Sequence, residues 1–300
     1  MKALQFSEYG GPEVLTVADA PEPHAGPGQI RIAVKASSVN GMDWKTRSGM
    51  VSGGKPLEEP MVLGWDAAGV VDEVGDGVSD VSVGDDVLGQ GRHTAAEYAV
   101  LTTWARKPAS IDWSVAAGAA LVGETAERGL RLLGVKAGDT VFIDGGAGGV
   151  GSVATQMAVA RGATVIASAS QDNHDYLREI GATPVLYGEG LVNRVRAVPV
   201  DHIDAVFDTV GKTPIEDLIS LAPEPSQVLT IANFSAGEAG ARVSGGGADS
   251  RGNEALAEVA EALRVSEVVV KVQTFPLDRA AEAHQIIESG HLRGKIVLLP

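Results

Sequence analysis

The 300-residue sequence contains no cysteine. That removes disulfides, thiolate nucleophiles and cysteine-ligated metals together. Aromatic residues are scarce at 4%, so a core must be built from Ala, Val, Leu and Ile. No run of about 18 apolar residues occurs, and no membrane span is expected. Residues 1–9 read as a first strand rather than a secretory leader, which makes the cytoplasm the expected location. Basic charge is also short. Lys plus Arg number 24 against 39 Asp plus Glu, for a formal charge of −15. Such a chain repels a phosphate backbone, and nucleic acid is not an expected partner. The acid is spread along the chain and forms no tail. Its expected effect is solubility, and an anionic ligand would need local donors to hold it.

The length allows two ordinary domains, each with its own core, and the 44% hydrophobic content suits a globular α/β protein. Residues 1–110 read mostly as β. The runs 29–36, 69–74 and 86–88 are short and β-branched, and the segments 22–28 and 84–86 between such runs carry turn residues. Strands so spaced suggest a small barrel or sandwich. The character changes after Pro108. Residues 114–133 read as helix, then strand and helix alternate: strand 140–144, helix 149–160, strand 164–168, helix 172–180, strands 184–187 and 205–208, helix 214–221, strand 227–232. This alternation predicts a doubly wound parallel sheet. A helix at 255–263, a strand at 268–272, a helix at 277–289 and a strand at 295–299 complete the chain.

Glycine clusters at 145–151 and 245–247. The first follows an apolar strand and opens a helix, and it contains G-x-G-x-x-G at Gly146, Gly148 and Gly151. In that motif the first glycine permits a tight turn, the second lets a pyrophosphate reach the backbone, and the third lets helix pack on strand. The helix aims its free N–H groups and positive dipole end at the phosphates, so Ala147, Gly149 and Val150 join the three glycines as candidate dinucleotide contacts. An acid at the end of the second strand would select NAD. Ser168 stands there instead, and with Ser170 and Asn173 it could accept a 2′-phosphate. NADP(H) is therefore the expected cofactor, although Asp172 argues the other way. The alternative is that these serines only cap a loop.

Further motifs occur in order along nearly the whole chain: Asn40, Asp43, Arg47 and Gly49; Pro60, Gly64, Asp66, Ala68, Gly69 and Val71; Glu97-Tyr98; Thr125-Ala126; Asp208-Thr209-Val210-Gly211; Ala283-His284; and Gly294-Lys295-Ile296-Val297. Together they resemble the medium-chain dehydrogenase/reductase superfamily in its zinc-free quinone-oxidoreductase branch. The resemblance implies a GroES-like β-barrel catalytic domain from residues 1–115 and 268–300, a Rossmann NADP(H)-binding domain from 116–267, and an active-site cleft between them. It also implies a homodimer through sheet edges, for which 241–244 is a candidate.

By the same resemblance, zinc-containing relatives place Cys and His-Glu around the cleft. Here the segment reads Gly64-Trp65-Asp66, and histidines 24, 93, 174, 202, 284 and 291 show no metal spacing. No metal is expected. Carbonyl polarisation would then fall to hydrogen-bond donors or water, which favours reduction of conjugated carbonyls and quinones over alcohol oxidation.

Asn40 is the first candidate in the cleft, by resemblance near the nicotinamide, or otherwise a turn-capping residue. Asp43 and Arg47 are expected to form an ion pair shaping the cleft wall. Lys45 either donates to a developing enolate or is a solvated lysine. Met50-Val51 replace a segment where relatives carry Tyr, which leaves protonation to water. Thr125 is expected on the nicotinamide side, Tyr187 beside the adenosine ribose or 2′-phosphate, and Thr209, Val210 and Asn233 at carboxyl ends of the sheet, where ligands bind. Gly245–247 either closes over the nicotinamide or is a flexible loop. His93 is a candidate proton donor or an exposed loop histidine, and Trp44 and Trp65 are wall or core residues. The sequence thus predicts an NADPH-dependent reductase of quinones or α,β-unsaturated carbonyl compounds. The alternatives are a pathway-specific enone reductase and a non-catalytic NADPH-binding protein.

Overall fold

A computed structural model describes residues 1–290 and 292–300; His291 lies outside the described residues. The chain forms two compact units. The first comprises Met1–Leu121, Gly252–Arg264 and Val270–Pro300, the second Val122–Arg251 and Val265–Val269. The division falls within the helix Trp113–Leu132.

The first unit is built around the strand Ile30–Val39, in which buried Ile30, Ile32 and Val34 alternate with less buried neighbours. This period of two sends one face inward, against Val71, Val87, Ala99, Leu101 and Trp104. The strand pairs with Asp66–Val74 and also, through residues 30–33, with Tyr98–Arg106. Asp86–Arg92 joins those two partners, so the four strands close on themselves. Of barrel and sandwich, the barrel forms. Residues 37–39 pair with the strand Lys295–Leu299, which brings segments far apart in the sequence into one sheet.

Two segments differ from the sequence reading. The helix Asn253–Arg264 was expected in the nucleotide-binding half, but it belongs to the first unit. Its apolar face buries Leu256 and Ala260 against Ala36, Ala68, Leu88 and Val297, and Asn253 Oδ1 accepts from Trp104 N at 2.8 Å. The strand expected at 268–272 runs instead over Val272–Pro276, parallel to Lys295–Leu299. Residues 265–269 stay with the second unit, where the Gln156 amide bonds both backbone groups of Val269.

The second unit holds a six-stranded parallel sheet. In chain order its strands are Thr140–Asp144, Thr164–Ala169, Ala182–Leu186, Ala205–Asp208, Val228–Thr230 and Arg242–Val243. Across the sheet they run third, second, first, fourth, fifth, sixth. That is the doubly wound order, with its switch point beside the first strand. Phe142, Ile166, Val185, Val206 and Val228 form the core with Leu191, Val195 and Leu218. The short helix Leu191–Arg196, which supplies two of those residues, was not anticipated because its apolar pattern spans less than two turns. Among the described residues no helix is long and apolar enough to cross a membrane.

Gly129, in the helix Trp113–Leu132, lies against the fully buried Phe207 ring. A Cβ there would stand 2.3 Å from Phe207 Cζ. Gly129→Ala should lower the unfolding free energy in urea by roughly 1–3 kcal/mol through overpacking, although alanine favours the helix by about 1 kcal/mol. An unchanged or raised value would mean that the ring has room to move.

Candidate functional site

The glycine turn sits at the carboxyl end of the first parallel strand. Gly145 takes the left-handed conformation, φ 84°, so the tight turn is made one residue before the G-x-G-x-x-G and not at Gly146. Gly146 instead permits close packing: its Cβ would stand 2.5 Å from Ala167 Cβ. Gly151 lies under the turn, where a Cβ would stand 2.2 Å from Gly145 O. Gly148 is the least crowded of the three motif glycines. Its φ is −73°, and a Cβ would meet only Gly145 O, at 3.3 Å. Gly148 is the N-cap of the helix Gly149–Ala160, whose first N–H groups, on Gly149, Val150 and Gly151, have no acceptor inside the helix. Backbone donors and the dipole end therefore gather at the least crowded glycine of the motif. Ala147 is buried beside them.

Beneath this turn lies Asp144, which the sequence reading missed. Its carboxylate accepts hydrogen bonds from Ser168 Oγ and from Thr213 Oγ1, the latter at 2.7 Å. Ser168 Oγ in turn accepts from Gly145 N at 2.9 Å, and Thr209 Oγ1 donates to Asp144 O at 2.7 Å. Burial pushes the Asp144 carboxyl up; the Ser168 and Thr213 donors oppose that shift, and the nearby Asp208 charge adds to it. Ser168 was expected to face a 2′-phosphate. It is 1% exposed, and its hydroxyl is engaged on both sides in fastening the turn. The strand continues to Ala169, so the residue at its end is Ser170, whose Oγ accepts from Asn173 Nδ2 at 3.0 Å. A hydroxyl inside a strand and one just beyond it look alike in sequence; only the register separates them.

The other candidates of this unit lie mostly at the same edge of the sheet. Tyr187 is exposed and follows the third strand, in a loop whose carbonyls are gathered by Arg194. Thr209 and exposed Val210 follow the fourth strand, and Val210 N donates to Asp208 Oδ1 at 2.9 Å. Asn233 follows the fifth; its Oδ1 caps the next turn by accepting from Ser235 N and Oγ. Thr125, in the long helix, is buried, and its Oγ1 accepts from Arg128 Nη2 at 3.3 Å. Arg128 also holds Glu124 and Ser244 Oγ, while Ser244 Oγ donates to Asp249. Both ends of the loop containing Gly245–247 are thus tied to the helix that carries Thr125.

In the first unit a buried polar chain runs through Asn40. Its Nδ2 donates to Asp66 Oδ1 at 2.7 Å, and its Oδ1 accepts from Lys295 Nζ at 2.5 Å. Lys295 Nζ also donates to Val39 O at 2.9 Å. Asp66 accepts further from Ser38 Oγ at 2.7 Å and from Leu121 N at 3.0 Å. Burial pushes the Lys295 ammonium down and the Asp66 carboxyl up, and each charge opposes the other's shift. Lys295 was legible only as part of a terminal motif; a lysine opening an apolar strand is the signal for a buried ammonium. Lys45 does not join this chain. It is half-buried on the helix Gly41–Arg47, 6.0 Å from the Trp44 ring.

The expected Asp43–Arg47 ion pair does not form. Asp43 accepts from Asn40 N at 2.8 Å and Gly64 N at 2.9 Å, and burial pushes its carboxyl up to about 7. Arg47 turns the other way, to Gly10 O and the Glu288 carboxylate. The two residues are one helical turn apart, but each side chain is taken up by partners outside the helix. Beside Arg47, the buried His284 has an Nδ1 without a partner. Burial, and then the Arg47 charge, hold its imidazole down at about 3. His93 takes a left-handed φ of 63° directly after Arg92.

Residues 26–105 match the alcohol dehydrogenase GroES-like domain, and residues 180–298 the zinc-binding dehydrogenases. An NADPH-dependent alkenal/one oxidoreductase of Arabidopsis thaliana is 32% identical over 100% of this chain and 80% of its own. A quinone oxidoreductase of Homo sapiens is 30% identical over 100% of this chain and 98% of its own. Among solved structures, the quinone oxidoreductase of Coxiella burnetii is 31% identical with a TM-score of 0.87, covering 100% of this chain and 99% of its own. That of Escherichia coli, complexed with NADPH, is 26% identical with a TM-score of 0.85 and full coverage of both. The zinc in the second description does not fit the donors present. Among the described residues no three His, Cys, Asp or Glu side chains gather where they could hold a metal ion. The buried Asp66 already faces a cation, Lys295.

The His284 environment predicts a pH dependence of stability. The folded imidazole takes a proton only near 3, against 6.5 for an ordinary one. Between those values the unfolded chain binds more protons, so this contribution is lost as pH falls through the window. The unfolding free energy of wild type minus that of His284→Gln should rise with pH, by up to about 1.4 kcal/mol per unit, between roughly pH 4 and 6.5. A flat difference would show that the imidazole is hydrated.

Proposed function

We propose that this chain, which belongs to the medium-chain dehydrogenase/reductase superfamily, reduces quinones or α,β-unsaturated carbonyl compounds with NADPH and without zinc. The observation that carries this reading is the turn at residues 145–151, with free helix N–H groups set around Gly148. Relatives named as NADPH-dependent alkenal/one and quinone oxidoreductases support it. NADPH, when bound, supplies a hydride. The protein's part is to bind, orient and exclude water.

In this reading Gly146, Ala147, Gly148, Gly149, Val150 and Gly151 cradle the pyrophosphate. Ser170, Asn173 and Tyr187, at the ends of neighbouring strands, take the 2′-phosphate end, and Ser168 acts only through the turn it fastens. Thr209, Val210 and Asn233 border the cofactor along the same edge of the sheet. Thr125 is the nicotinamide candidate of the second unit and Asn40 that of the first. Asn40 suits a positioning task because its amide is held at both ends, by Asp66 and by Lys295. A conjugated substrate spreads the incoming charge, so a fixed amide can serve where a saturated ketone would need a Lewis acid. The proton that completes the reduction comes from water. The outer strand Arg242–Val243 ends the parallel sheet, and its open edge is the proposed contact of a homodimer.

Purified protein with NADPH should oxidise the cofactor in the presence of a simple quinone or a 2-alkenal, and should not reduce NADP in the presence of a saturated alcohol. Rapid alcohol oxidation would overturn the zinc-free reading. Tight NADPH binding with no turnover on any of these would mark a binding protein or a specialised substrate. Gly148→Ala tests the cofactor site directly, because φ at Gly148 admits alanine. NADPH affinity, read by its fluorescence, should fall about tenfold or more, or ~1.4 kcal/mol, with the melting temperature within a few degrees of wild type. Unchanged affinity would place the dinucleotide elsewhere.

A further inference from the structure

The first unit carries an open pocket of about 1080 Å³, just above the range taken by small-molecule sites. Leu57, Met61, Val62 and Leu121 give it an apolar wall, and Trp65 and Arg92 line it too. Arg92 is unlike the other arginines of the unit. Arg31 holds Asp72, Arg106 holds Asp85, and Arg47 holds Glu288. Among the described residues the guanidinium of Arg92, on an exposed side chain, has no hydrogen bond and no ion pair; its central carbon lies 4.7 Å from the centre of the Trp65 ring. That distance is a cation–π contact, which restrains the side chain, and a guanidinium without another partner can receive a carboxylate through two parallel bonds. The next residue, His93, is a non-glycine held at a left-handed φ of 63° and also lines the cavity. Backbone strain of this kind persists where the surroundings impose it, and it clusters at binding sites.

Charge sharpens the point. The chain carries −15 overall, so an anion needs a specific partner here. The other fully charged side chains lining the cavity are Lys55, Glu58 and Glu59, one positive and two negative. With Arg92 included, the side-chain charges of the lining sum to zero; of its two cationic side chains, both without an ion pair among the described residues, Arg92 is the one held against an aromatic ring.

We propose that this cavity is the substrate pocket and that Arg92 reads a carboxylate on the substrate, so that the substrate class is a conjugated enone or quinone bearing an acidic group. The proposal rests on the reading of the chain as an enone or quinone reductase. Arg92 is a specificity residue. The apolar wall takes the conjugated body and the Arg92 guanidinium takes the acid.

The test compares trans-4-oxo-2-pentenoate with its methyl ester, using NADPH and full-length wild type, Arg92→Gln and Arg92→Lys. Intrinsic reactivity cancels when the ratio of kcat/KM for acid over ester is compared between proteins. That ratio should fall 10- to 100-fold in Arg92→Gln, through KM for the acid. In Arg92→Lys, which keeps a point charge but loses the fork, it should fall by less. The wild-type ratio should also shrink as salt is added. An equal ratio in wild type and Arg92→Gln overturns the proposal. A calorimetric titration with 4-oxopentanoate, which cannot be reduced at a double bond, gives a second reading that does not need turnover. Binding to wild type that weakens at least tenfold in Arg92→Gln supports the pocket even if neither enone is reduced, in which case it is the reductase reading that fails. Equal binding to both proteins sinks the pocket even in an active enzyme.

Discussion

A buried ammonium has to be answered by oxygen atoms, and much of the first unit follows from how Lys295 is answered. The side chain is 4% exposed, and an ion so placed is tolerated only with close partners. Those partners come from distant parts of the sequence: Val39 O and Asn40 Oδ1 at the end of one strand, and the charge of Asp66 at the start of another. Asp66 is satisfied in turn by Ser38, Asn40 and Leu121. The demand for mutual satisfaction explains why a carboxyl-terminal strand is seated beside Ile30–Val39, and why Asn40 has a single amide orientation.

The second unit solves a related problem at its glycine turn. A left-handed residue, a helix start and three strand ends meet there, and a carboxylate under the turn is met by two hydroxyls. Asp144 lies beneath a turn proposed to receive phosphate, so its charge is unfavourable for binding. Burial pushes that carboxyl up while the hydroxyl donors oppose the shift, and the same donors keep the turn in place. The two units therefore use the same device, a buried polar group fully engaged by neighbours, to fix a backbone that carries candidate contacts.

How much of this could be read in the sequence varied with the range of the interaction that decides it. The parallel sheet was legible because each strand and helix announces itself through local periodicity, and the glycine turn because glycine spacing is local too. The barrel strand Tyr98–Arg106 was not, because Thr102 and Thr103 interrupt its apolar pattern and its place is set by pairing with Ile30–Val39. The helix Asn253–Arg264 was read correctly as a helix but assigned to the wrong half, since an apolar face does not name the surface it covers. Among site residues, Ser168 illustrates the limit. Its position near the end of the second strand was plain, but its inward direction depends on Asp144, and that contact lies across the sheet. Lys45 and Lys295 show the converse: the family resemblance pointed to the first as a donor, while the fold brings the second onto Asn40.

The seating of Lys295–Leu299 also bears on biosynthesis. A ribosome releases the residues of the second unit, up to 269, while the strand that completes the first is still unmade. Until it emerges, Asn40 and Asp66 are without their cation, and one edge of Ile30–Val39 is without its partner over residues 37–39. The unit begun first is thus finished last, and its exposed strand edge during that interval is where a nascent chain of this protein is most open to mispairing or to capture by a chaperone.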